Sequence, residues 1–283
     1  MPLMKNASCY REKSAKACNK RRIGKDLLRK MLILVCLGAA FASVGSASNV
    51  TKFMKNAPGF VWKTEKSKSF VFYYEARTPA ARDIEKIKTN MEKERSAVEA
   101  LLGATSRQKL DVFLVDSLKR MKELVGSERH AWASDTVIGA TYGDDRIRRV
   151  GAHEILHCLA LKLWGRPSGL WASEGLAVYS EDEWRDIPLH LLAKWLLDKG
   201  QLLPMSTLTN SDSWKTNMIT YPQCGSFVKF IYERYGMAVM KDFYLKGIQK
   251  AGKQMGKTLP DLEKEWLAEV AKFDASAVQY QLQ

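Results

Sequence analysis

An α+β fold, with a small mixed β-sheet lobe followed by a mainly helical lobe, is what this 283-residue chain predicts. Two observations carry that reading. Strand-like and helix-like segments alternate from about residue 69 to about 145. From 146 to about 275 every apolar pattern has the helical period, interrupted only by glycine, proline and polar clusters.

Each element has its local reason. Ser69 to Ala76 alternates aromatic residues with others and reads as a strand. Pro79 opens a helix, since its fixed φ and missing N–H suit the first helical position. Ile84, Ile87, Met91, Val98 and Leu101 recur on one face of it, and Gly103 closes it. Lys109 to Asp116 is a second, well buried strand; a short helix follows through Val125, and Thr136 to Tyr142 is a third strand. The helical half reads as a helix around His153, one around Glu174, then Leu189 to Lys199, Pro222 to Tyr235, Met237 to Lys246 and Leu259 to Phe273.

Residues 1–47 stand apart. A long basic stretch with Lys20, Arg21, Arg22, Arg29 and Lys30 runs into the apolar segment Met31 to Ala42 and then small residues, the order of an export signal cut after Ser46 or Ala47. The apolar run spans roughly 18 Å of helix against about 30 Å of hydrocarbon, so a stable membrane span after leader removal is not expected. The expected location is secreted or periplasmic; a leader left uncleaved would tether the chain to a membrane instead. Residues 48–68 read as a linker and 69–283 as a single domain.

The net charge of +14 suggests nucleic acid until it is divided along the chain. Residues 1–30 hold ten Lys or Arg against Glu12 and Asp26, a balance of +8 that leaves +6 for the rest, so no nucleic-acid partner is expected. Lys246, Lys250, Lys253 and Lys257 read as a solvated loop. Of five cysteines, Cys9, Cys18 and Cys36 belong to the leader; Cys158 and Cys224 are read as buried free thiols, with a pairing in an oxidising compartment as the alternative.

Two of the four histidines fall in His153-Glu154-Ile155-Leu156-His157. Residues four apart share a helix face, so both imidazoles can reach one metal ion with Glu154 beside it, although an ordinary amphipathic helix can carry the pattern by chance. Zinc held by two histidines needs a third protein ligand and an open position. Glu174 offers it, because the breaker Trp164 to Gly169 turns the chain back and a second helix returns Glu174 over the histidines. Glu181, two turns on, is placed either to accept a hydrogen bond from a ligand histidine or to be a solvated carboxylate in the run Glu181-Asp182-Glu183.

At HEILH (His153 to His157) and WASEGLA (Trp171 to Ala177) the chain resembles the gluzincin metallopeptidases, the group of thermolysin and the aminopeptidase N type enzymes. The resemblance implies a zincin-like fold with the active-site cleft between the two lobes, zinc on His153, His157 and Glu174, and Glu154 as general base. It also implies a downstream tyrosine beside the metal. Tyr221, directly before Pro222 at a helix mouth, is the candidate, with Tyr142, Tyr179 and Tyr232 as competitors. Aminopeptidases of the group hold the substrate's amino terminus with a glutamate in the edge strand before the zinc helix. The corresponding stretch here, Val137 to Gly143, has none, so cleavage within peptide or protein chains is expected, with Asp135 and Asp144 flanking it. Trp164 and Trp171 read as packing staples, and His130 and His190 as surface or capping residues. The competing function is a catalytically silent gluzincin-like scaffold that keeps the metal for binding or stability, or serves as a protein-interaction module.

Overall fold

The computed structural model describes residues 47–143, 151–210 and 218–280. Almost all of the leader, and Asp144, lie outside the described residues. In chain order the elements are α1 (Ala47–Lys55), β1 (Trp62–Lys66), β2 (Phe70–Glu75), α2 (Pro79–Leu102), β3 (Leu110–Val115), α3 (Leu118–Val125), β4 (Ala131–Ser134) and β5 (Val137–Thr141). The helical half follows as α4 (Ala152–Leu163), α5 (Leu170–Tyr179), the short strands β6 (Glu183–Trp184) and β7 (Ile187–Pro188), α6 (Leu189–Asp198), α7 (Met205–Leu208), α8 (Thr220–Lys246), α9 (Ile248–Gln254) and α10 (Leu259–Val270).

The α+β class stands, with a five-stranded mixed sheet in the order β1-β2-β3-β5-β4. β2, β3 and β5 run parallel, while β1 and β4 are antiparallel outer strands. Period-two alternation splits the sheet's side chains between two cores. Phe70, Phe72, Tyr74, Leu110, Val112, Leu114, Ile138 and Ala140 face α2, α4 and the helical half, in one continuous cluster. Tyr73, Phe113, Val115, Trp132 and Val137 face the other way, onto Met54 of α1 and Met121 and Leu124 of α3.

α2 begins with the Thr78 side chain accepting from the Ala81 N–H and ends at Gly103 in the left-handed region, φ 64. Its buried stripe contains Arg95, whose guanidinium donates to the carbonyls of Ser106 and Gln108 and to Glu99, tying the helix end to the entry of β3. The fully buried residue at its end is Leu102, with Leu101 only partly covered.

Three expectations are corrected. Residues 48–68 are not a linker: they form α1 and β1, β1 pairs with β2, and Thr51 donates to Asp111 of β3 at 2.8 Å. The stretch Val137 to Gly143 is not the sheet edge, because β5 lies between β3 and β4; the edge is β4, whose Trp132 lies so close over its partner Gly139 that a Cβ there would be 2.2 Å from the indole nitrogen. Lys250 and Lys253 belong to a helix, α9, and not to a loop. The two helices read at Pro222 to Tyr235 and Met237 to Lys246 are limbs of α8, kinked at Gly236 with φ 83. Among the described residues no helix is long and apolar enough to cross a membrane.

Candidate metal centre

HEILH lies in the first turns of α4, whose buried side presents Ile155, Leu156, Leu159 and Ala160 to the core and leaves both histidines on the partly open face. Trp164 ends α4, its indole N–H donating to the Leu102 carbonyl at 3.1 Å. The turn is held from outside, since the Ser168 N–H donates to the Tyr244 carbonyl at 2.6 Å. Trp171 then packs edge-on to Phe227 and Phe243 of α8, so both tryptophans do act as staples. α5 and α8 meet at glycine, where a Cβ on Gly175 would stand 2.9 Å from the Cys224 carbonyl oxygen and 2.8 Å from Val228.

This packing brings Glu174 over the histidine pair. The two Nε2 atoms are 3.2 Å apart, and Glu174 Oε2 lies 3.4 Å from that of His153 and 3.5 Å from that of His157. Four ligands about 2.1 Å from a tetrahedral centre are separated by about 3.4 Å, so the triangle fits one face of a zinc tetrahedron. The donor set, two imidazoles and a carboxylate, also suits that ion. Among the described residues these three form the one group of histidine, cysteine or acidic side chains so arranged.

The electrostatics fit a cation site. Burial opposes charge on His153, but the hydrogen bond it donates to Glu174 and the charges of Glu154, Glu174 and Glu181 outweigh it and raise its pKa to about 9. Burial acts against the Glu174 carboxylate as well, yet the histidines hold it far below the usual range. Glu154 is raised by burial, the two histidines pulling the other way.

Glu181 falls between its two readings: the residue is exposed, and it meets the histidine helix at the backbone and not at the imidazole. It lies beyond the end of α5, and its carboxyl reaches the backbone of α4, accepting from the His153 N–H. A Cβ on Gly151 would be 2.1 Å from its Oε1, so glycine at that N-cap leaves room for the carboxylate, and Gly151 itself provides no side-chain cap. Glu181 thus caps the first turn of the histidine helix from outside, where a negative charge complements the helix dipole.

Ser173 is a partner the sequence did not single out. Its Oγ lies 3.3 Å from Nδ1 of His157, and the Tyr244 hydroxyl, on the far limb of α8, bonds to it in turn. Of the tyrosines, Tyr142 donates to Asp83 and Tyr232 to the Leu101 carbonyl, and Tyr179 tilts against Tyr232 with Glu233 and Asp182 as its charged neighbours. Tyr221 instead neighbours Glu174 and Glu154, and burial together with those charges pushes its pKa up to about 12. Arg129, before β4, bears on both Glu154 and Tyr221, and nothing in its sequence context marks it.

Cys158 and Cys224 are free, buried thiols raised by burial. His130 is exposed as expected. His190 is not a surface or capping residue: it is 4 % exposed in the core of the helical half, with Nδ1 2.8 Å from Ser226 Oγ.

No protein-family model and no curated protein matches the chain. Among solved structures it is similar to an M1 zinc metallopeptidase from Deinococcus radiodurans, at 16% identity over 79% of this chain and 54% of that one, TM-score 0.42. A mutant of that enzyme bound to a Tyr-Ser-Ala substrate gives 14%, 73% and 51%, with TM-score 0.45. A two-domain M1 zinc metallopeptidase mutant bound to L-tryptophan gives 15%, 73% and 51%, also at 0.45. The chain spans about half the length of the solved structures it matches.

Proposed function

We propose that this chain is an exported zinc-dependent peptidase that hydrolyses peptide bonds, preferring bonds within chains. The observation that carries the proposal is the triangle of His153, His157 and Glu174, with edges of 3.2 to 3.5 Å and Glu154 next in sequence to a ligand. His153, His157 and Glu174 would hold the ion. Zinc, when bound, supplies a Lewis acid that makes water acidic near neutrality and polarises a carbonyl.

The remaining chemistry belongs to the chain. Glu154, its pKa raised by burial, takes the proton of the attacking water and delivers it to the leaving nitrogen. A purely structural metal site has no use for a carboxylate in that place. Tyr221, beside Glu174 and Glu154, donates a hydrogen bond from its hydroxyl to the carbonyl oxygen as charge develops there and keeps its proton. β4, an outer strand of the sheet, offers its backbone to an extended peptide as an added strand. β4 carries no carboxylate, so the preference for internal bonds transfers to the true edge; Asp135, the next residue, with φ 51, is the competing anchor for a free amino terminus.

Glu154→Gln tests the proposal, with cleavage of an unstructured protein and zinc content read side by side. Zinc should stay at one per chain while turnover falls at least about 100-fold. A parent protein that holds zinc and cleaves nothing would be the silent scaffold. Blocked peptides should be cut at least as well as the same peptides with free amino termini; a strict requirement for the free terminus would transfer the function to an aminopeptidase anchored at Asp135.

A further inference from the structure

Between the end of α5 and the start of α6 the chain makes a two-residue hairpin that its sequence does not favour. β6 and β7 pair Glu183 with Pro188 and Trp184 with Ile187, so Arg185 and Asp186 alone form the turn. Both have positive φ, 54 and 65, as does Asp182 just before at 55. Such a turn ordinarily takes Asn-Gly, and non-glycine residues in this region persist only where the surroundings hold them. Here the hairpin is held at its base, where the Lys229 ammonium lies 2.6 Å from Asp182 Oδ1 and the Leu189 N–H donates to the Asp182 carbonyl, and the Arg185 guanidinium lies over the Tyr280 ring.

What the hairpin presents is Trp184. Its ring lies flat against Tyr221, with centroids 5.5 Å apart and planes at 16°. Its indole N–H donates to the Tyr280 hydroxyl at 3.2 Å, and Tyr280 stands edge-on to Trp195 of α6. The indole is therefore fixed from behind by the C-terminal segment and pressed in front on the tyrosine at the mouth of α8. Tyr221 stands one turn before Cys224, where α8 crosses α5 beside Glu174.

We propose that Trp184 is a positioning residue for Tyr221: the hairpin holds its indole against the phenol ring, keeping the hydroxyl in one orientation beside the metal-binding side chains. The assignment rests on the proposed role of Tyr221 as donor to the carbonyl oxygen. A phenol free to swing would meet the developing charge only part of the time, whereas a stacked one is preorganised and loses no orientation during the reaction. Trp184 itself touches neither substrate nor metal in this scheme.

A double-mutant cycle in the full chain separates this role from ordinary packing. Trp184→Ala should lower kcat about 10- to 100-fold with KM and zinc affinity little changed, and Trp184→Phe, which keeps a flat ring, should recover most of the loss. Tyr221→Phe should lower kcat at least as far, and adding Trp184→Ala to it should cost nothing more, since no hydroxyl remains to position. Losses that multiply in the double variant, or a fully active Trp184→Ala, overturn the positioning role and leave the peptidase reading intact. Full activity in Tyr221→Phe overturns the donor role and this assignment with it. A parent protein that binds zinc and cleaves nothing overturns both.

Discussion

Ser173 precedes the glutamate of the metal triangle, and its hydroxyl lies 3.3 Å from Nδ1 of His157. Both histidines turn Nε2 toward Glu174, so the proton of a neutral metal-binding imidazole must sit on Nδ1. Ser173 accepts that proton's hydrogen bond and passes its own to the Tyr244 hydroxyl, which is 2 % exposed. Such outer partners fix a ligand's tautomer and orientation. Ser173→Ala should therefore weaken zinc about 10- to 100-fold in competition with a chelator, with the fold unchanged by circular dichroism. Tyr244→Phe should weaken it less, because Ser173 keeps its hydroxyl. Unchanged affinity in Ser173→Ala would show that backbone packing alone orients His157. Little of this was legible in the sequence. The pair four apart in HEILH is fixed by helix geometry and can be read directly, but Ser173 and Tyr244 are 71 positions apart and meet only because the turn before α5 is bonded to the end of α8.

At the scale of elements, the long periodic segments were readable and the short ones were not. α2, with its proline, glycine and regular apolar stripe, runs over the boundaries its pattern sets. β1 reads WKTEK and keeps only partial cover, so it carries no apolar alternation, and it exists because β2 offers it an antiparallel partner. β4 has four residues without a β-branched side chain; Trp132 closing over Gly139 holds it in register. Missing β4 is what made β5 look like the edge. The crossing of α5 and α8 shows how such contacts set the site. A methyl on Gly175 would meet the Cys224 backbone at 2.9 Å and Val228 at 2.8 Å, and a backbone neighbour cannot rotate away. Gly175→Ala should push the helices apart and cost roughly 1–3 kcal/mol of stability. It should also weaken zinc, because Glu174 is the adjacent residue and the triangle tolerates little spreading. Chelator competition and urea unfolding of the metal-free protein measure the two effects. A variant as stable as the parent that lost zinc all the same would place the strain in the side chains of the site and not in the helix crossing.

At the scale of the whole molecule, the response to acid involves a buried histidine outside the metal triangle. Trp266 donates its indole N–H to Ser226 Oγ, which leaves the Ser226 hydroxyl proton for Nδ1 of His190 and assigns the neutral ring's own proton to Nε2. That Nε2 is buried without a hydrogen-bond partner among the described residues, and the ring stands edge-on to Phe273. Burial, aided by the Lys229 charge and opposed by those of Glu269 and Asp182, lowers the His190 pKa from 6.5 to about 4. The sign follows from linkage: as pH falls, the unfolded chain takes up this proton near 6.5 while the folded chain resists until about 4. The contribution of His190 is present above pH 6.5 and is lost as pH falls toward 4, a loss of about 3 kcal/mol in all. His153, its pKa raised to about 9, gains stability for the fold as pH falls from about 9 to 6.5, opposite in sign to His190 but common to parent and His190 variant, so the His190 effect is read as the difference between the two proteins. Three helices, α6, α8 and α10, supply His190, Ser226 and Trp266, so the proton's cost falls on the helical half as a unit. Between about pH 6.0 and 4.5 the urea midpoint of the metal-free protein should fall further in the parent than in His190→Gln, which carries no titrating ring. Parallel curves for the two proteins would assign the acid sensitivity to the carboxylates and remove His190 from the account.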